Sequence, residues 1–136
     1  MKIDDAIIMI VNDNILIVGM WKRAISKKGF QPKNIHLIHD GETAIKHYLA
    51  MSKKPDLIIL DDIMPGMDGF NVCKTIRELE KQNKTEPATL LFVTNLPGKD
   101  IHDKLTKEVG ANDFIQISNV SPIDLANIVV DYIEKR

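Results

Sequence analysis

Five short apolar runs, at residues 6–11, 35–38, 57–60, 90–94 and 114–117, set the first constraint on this chain. Each is rich in Ile, Val, Leu or Phe and alternates little with polar residues, the pattern of strands buried on both faces. Between them the apolar spacing turns helical. Ile17, Met20, Trp21, Ala24 and Ile25 form one stripe, stopped by Gly29. Residues 42–49 read as a second helix, and Val72, Ile76 and Leu79 mark a third that Asp68 can cap. Ile101, Leu105 and Val109 form a narrower stripe ending at Gly110, and Leu125, Ile128, Val129, Tyr132 and Ile133 a wide one. The last helix has a complete start signal: Ser121 as cap, Pro122 at its first position, Asp124 to close a capping box.

The order is strand then helix, five times over. That order predicts an α/β fold, a doubly wound five-stranded parallel sheet with helices on both faces. Length sets the domain count at one, residues 1–136. A net charge of −1 offers no footprint for nucleic acid; Lys22, Arg23, Lys27 and Lys28 fall late in a helix, where cations complement its dipole. With Cys73 as the single cysteine, an internal disulfide and a cysteine zinc site are excluded. The N-terminal apolar run is too short to cross a membrane and has no basic leader, so the expected compartment is the cytoplasm.

Open sheets of this kind bind ligands at the carboxyl ends of their strands. Those ends carry Asn12-Asp13, Asp40, Asp61-Asp62, Thr94-Asn95 and Ile117-Ser118. Asp13 and Asp61, from neighbouring first and third strands, can converge on one hard cation. Magnesium suits such a site, taking oxygen ligands and keeping several waters. Spacing alone also allows both to be ordinary polar strand ends.

The stretch PDLIILDDIMPGMDG at 55–69 resembles the receiver domains of bacterial response regulators. In that family a strand ends in the phosphorylated aspartate, with a proline four residues on and then Gly-x-Asp-Gly; here these are Asp61, Pro65, Gly66, Asp68 and Gly69. The likeness runs from Ala6 to about Ile133, through Asp40-Gly41-Glu42, Thr94 and Gly110-Ala111-Asn112-Asp113-Phe114. It implies a flavodoxin-like receiver fold, a two-component signalling role and phosphorylation of Asp61. It further implies Mg²⁺ on Asp13, Asp61 and the Ile63 backbone carbonyl, with Asn12 acting directly or through water. Thr94 would read the phosphoryl group and Phe114 would be the aromatic of the switch. The partners implied are a histidine kinase or phosphotransfer protein and a downstream protein or effector domain.

Two positions depart from the family. Asn12 stands for one of two acids, and Ile117 for the lysine that normally pairs with the acceptor. Both changes together leave net charge unaltered, but a directed cationic donor is lost. Asn95 and Lys99 are the candidates to compensate. A pseudo-receiver that binds partners without phosphate is therefore the competing reading. A haloacid-dehalogenase-like phosphatase needs an acid two residues after its nucleophile, where this chain has Ile63. Asp62, next to the acceptor where the family is usually apolar, is expected to be a solvated rim charge. His36, His39, His47 and His102 share no metal-ligand spacing and read as surface or strand-end residues. Ile15, Leu16 and Val18 widen the first helix's stripe, which is either deeply buried or a partner surface.

Overall fold

The computed structural model describes residues 1–95 and 107–136. Lys99, Ile101, His102 and Leu105 lie outside those residues. The five strands are β1 Ile8–Val11, β2 Ile35–Ile38, β3 Leu57–Leu60, β4 Thr89–Thr94 and β5 Asp113–Gln116. All pair in parallel, in the order β2-β1-β3-β4-β5. Four described helices accompany them: α1 Ile15–Lys27, α2 Gly41–Ala50, α3 Gly69–Asn83 and α4 Pro122–Glu134. Among the described residues no helix is long and apolar enough to cross a membrane.

Near-continuous apolar strands are required because each face of the sheet carries its own core. Ile8, Ile10, Leu57, Ile59, Leu91, Val93 and Ile115 meet Trp21 and Ile25 of α1 and Leu125, Val129 and Ile133 of α4. Met9, Val11, Ile58, Leu60, Leu90 and Phe92 face the other way, onto Tyr48 of α2 and Val72, Cys73 and Ile76 of α3. Strand alternation thus decides which helix layer each residue supports. The fifth strand is shifted one residue toward the N-terminus from its apolar run, beginning at Asp113 and ending at Gln116. Ile117 opens a 3₁₀ turn, Ile117–Asn119, and packs half-buried against the α1/α4 core.

The helix starts follow local chemistry. Asn14, Asp40, Asp68 and Ser121 each accept a hydrogen bond from a backbone N–H three residues on. The Ser121–Asp124 capping box is complete, and a cap of this kind is worth ~1 kcal/mol.

At the edge where the strands begin, Arg77 of α3 ties three segments together. Its guanidinium donates to the carbonyls of Gly110 and Ala88, to the Asn112 side chain, and to Glu80 at 2.8 Å. Glu80 is buried, and its second oxygen accepts from the Ala88 N–H at 2.7 Å. Both oxygens of this carboxylate are therefore satisfied, one of them by a cation.

Candidate functional site

The strand order reverses at β1, which lies between β2 and β3, so a crevice opens beyond the ends of β1 and β3. At the exit of β1, buried Asn12 accepts from the Asn14 N–H at 2.9 Å, and Asn14 caps α1. This pair of turns displays Asp13 to solvent. At the exit of β3, the Asp61 N–H donates to the Val11 carbonyl at 3.0 Å, extending the ladder one residue past the strand. The Asp62 carbonyl then accepts from the Gly69 N–H at 3.1 Å, closing the turn that begins α3. Gly69 is obligatory here: a Cβ at this position would overlap the Asp61 carbonyl oxygen.

Asp61 is half-buried, and its carboxyl is pushed up to about 7. Desolvation is the main cause, followed by the Asp62 carboxyl beside it and, more weakly, Asp13. Three acids thus act on one another where β1 and β3 end. Among the described residues no salt bridge neutralises this negative charge, which fits a divalent cation. Among the described residues no three His, Cys, Asp or Glu side chains already form a metal cage. Two carboxylates, one backbone carbonyl and waters match how magnesium is usually held.

Asp62 is not the solvated rim charge its position suggested. It is 3% exposed, and its Oδ1 accepts a hydrogen bond from the Thr94 hydroxyl, itself 1% exposed. Its other oxygen is buried with no hydrogen-bond partner among the described residues. The register explains the contact. Leu60 pairs with Phe92 on the α2/α3 face, and two residues further along each strand bring Asp62 opposite Thr94. Adjacent residues do alternate between faces, as expected, but the face assigned to Asp62 is closed by β4 rather than open to water.

The other candidates divide. Asp13 joins the field at Asp61, and Asn12 builds the turn that displays it. Ile63 projects its side chain into solvent, 69% exposed. Phe114 is partly buried on the same sheet face as Thr94, and Phe92 pairs with it across β4 and β5. Asn95 is exposed at the exit of β4. Asp40 does not join the acidic group; it caps α2, and the Thr43 N–H holds its carboxyl below the usual range. Cys73 is core: its thiol donates to the Val109 carbonyl, and burial pushes it up to about 12.

One pairing was not visible as a sequence pattern. His36 of β2 and His47 of α2 are not independent surface residues, since Nδ1 of one lies 2.9 Å from Nε2 of the other. Burial, His47 and Lys22 hold His36 below the usual imidazole range. The wide stripe of α1 is also resolved. Val18 is buried, whereas Ile15, Leu16 and Met20 are 68%, 81% and 57% exposed. With Ile123 they line a groove of about 740 Å³ between α1 and the start of α4, bordered by Arg23 and Lys27.

A family model of the response regulator receiver domain matches residues 8–128. The transcriptional regulatory protein YvrH of Bacillus subtilis is 37% identical over 124 residues, covering 90% of this chain and 47% of that protein. The chain spans about half the length, or less, of the curated relatives it matches. Among solved structures, a two-component response regulator from Clostridium difficile superposes with a TM-score of 0.78 at 22% identity, covering 95% of this chain and 96% of that one. The signal receiver domain of a signal transduction histidine kinase from Syntrophus aciditrophicus gives 0.76 at 27% identity, covering 96% and 91%.

Proposed function

Because this chain belongs to the response regulator receiver family, we propose that Asp61 accepts a phosphoryl group from a histidine kinase or phosphotransfer partner. The observation that carries this reading is the half-buried Asp61, set between Asp13 and Asp62 at the crevice where the strand order reverses. An Asp61 carboxylate oxygen attacks phosphorus, a new O–P bond forms, and the partner's histidine nitrogen leaves with the electron pair of the broken P–N bond. Asp61 must be ionised to do this, so protonation near neutral pH opposes the reaction. Asp13, Asp61 and the Ile63 carbonyl would hold Mg²⁺, with Asn12 supporting Asp13. When bound, the cation favours the carboxylate form and neutralises phosphoryl charge.

Thr94 is the side chain that reads the modified site, and Phe114 shares its sheet face. The exposed apolar groove along α1 supports a protein-interaction surface rather than a closed scaffold. A downstream protein or an effector domain is the output partner.

A second reading, a phosphorylation-independent interaction module, is favoured by one observation. Ile117, where the family has its lysine, is packed against the apolar core. One experiment separates the two. The full chain is incubated with Mg²⁺ and phosphoramidate, and intact mass is followed. A single phosphoryl adduct, lost in Asp61→Asn, is expected. Its absence from the wild-type chain favours the module, and an adduct that survives Asp61→Asn removes the site assignment.

A further inference from the structure

The Thr94 hydroxyl has one proton to donate, and in this chain it goes to Asp62. Any phosphoryl oxygen on Asp61 that recruits this hydroxyl must take it from a carboxylate already in place. Both partners are almost wholly shielded from water, and a hydrogen bond is electrostatically stronger in such surroundings than in water. The Asp62 main chain is pinned as well, since its carbonyl accepts from Gly69 at the start of α3. The Thr94 main chain is held in turn by the β4–β5 ladder, so the change open to the pair is in the side-chain bond itself.

We propose that Asp62 is a resting-state latch, a positioning residue that holds the Thr94 side chain against β3 until a phosphoryl group on the neighbouring Asp61 displaces it. Three observations support the latch. Asp62 lies two residues past Leu60 and Thr94 two residues past Phe92, so the bond joins the two chains just beyond the last β3–β4 pair. The second Asp62 oxygen is buried with no hydrogen-bond partner among the described residues, which makes the Thr94 hydroxyl the principal compensation described for this carboxyl group. Release of Thr94 also has a route outward, because Phe92 on the same face pairs with Phe114 of β5. A phosphoryl group adds roughly −1.5 to −2 charges beside Asp62, so the carboxylate resists the very modification that must free Thr94. The latch thus sets a threshold.

This inference deepens the phosphoryl-acceptor reading, and the test separates the two. Three-bond couplings to the Thr94 methyl group report its χ1 rotamer in the full chain with no phosphodonor present. One rotamer is expected in the wild type and in Asp62→Asn, which keeps an acceptor oxygen; Asp62→Val should average the rotamers. Asp62→Ala provides the same measurement if Val repacks the site. A Thr94 rotamer unchanged in these apolar variants overturns the latch. Mg²⁺ and beryllofluoride are then titrated. The half-saturating concentration should fall ~10-fold in Asp62→Val, the scale of one hydrogen bond to a charged group. In a Thr94→Val background the same substitution should change it little. An undiminished ~10-fold effect in that background would mean that Asp62 acts through its charge alone and would also overturn the latch. If no variant binds beryllofluoride, the acceptor reading falls, while the rotamer measurement still decides the latch.

Discussion

Glu80 and Asp62 are the two buried carboxylates among the described residues, at 4% and 3% exposure, and they lie at opposite ends of the sheet. Glu80, where the strands begin, has the Arg77 guanidinium on one oxygen and the Ala88 N–H on the other. Asp62, where the strands end, has a threonine hydroxyl on one oxygen and, among the described residues, no hydrogen-bond partner on the other. The same functional group is therefore neutralised at one end and left in deficit at the other. A satisfied buried ion pair fixes the approach of α3 to β4 and β5. An unsatisfied carboxylate beside a second acid is an expensive arrangement that stability alone does not explain.

Breaking the satisfied end should have the largest effect. Glu80→Ala leaves Arg77 without its anion and the Ala88 N–H without its acceptor, and should cost about 3–5 kcal/mol in urea unfolding. Asp62→Asn should cost under about 0.5 kcal/mol or stabilise, because it removes a buried charge and its amide can donate to Asp61. Equal costs for the two variants would abolish the contrast. Gly69→Ala comes next. Its new methyl group must push the Asp61 carbonyl aside, with an expected loss of about 1–3 kcal/mol and weakened Mg²⁺ binding in a calorimetric titration.

The pH dependence sharpens the comparison at the site end. The Asp61 carboxyl rises from 3.8 to about 7 on folding, so between those values the folded chain binds more protons than the unfolded one. Its contribution to stability is fully present below about 4 and is lost as pH rises through 7. Because Asp61 is only half-buried, the loss should be on the order of 1 kcal/mol. Thermal melts from pH 5 to 8 should show the decline, and Asp61→Asn should remove it. Saturating Mg²⁺ should also flatten it by favouring the ionised form. The smallest effect belongs to the exposed apolar edge. Leu16→Ser should alter stability by under about 0.5 kcal/mol. Its consequence should appear instead as slower phosphoryl transfer from a partner protein, with transfer from phosphoramidate unchanged.

Much of the scaffold is legible in local sequence. Residues 35–38 and 57–60 are strands at the expected bounds, because runs buried on both faces must be apolar throughout. The caps by Asp68 and by Ser121 with Asp124 are likewise local, since a cap acts within one turn. Gly29 follows α1 at a positive φ of 112°, as a stop signal should. The turn at 65–69 points to Asp61 over its neighbour only through the family resemblance, which sets a proline four residues after the acceptor.

Asp62 marks where local reading ends. The sequence by itself determined five strands, the four helices of the described residues, the caps at Asp68 and Ser121 and the carboxylate at the end of the third strand, all of which depend on interactions within a few residues. Only the tertiary structure decided that Asp62 meets Thr94, that Arg77 closes on Glu80 and Asn112, that His36 meets His47, and that Ile15 and Leu16 stay uncovered. Those outcomes depend on which strands are neighbours, in what register, and which side of a helix the rest of the chain reaches. A hydrophobic pattern says that a face must be buried, but not what buries it.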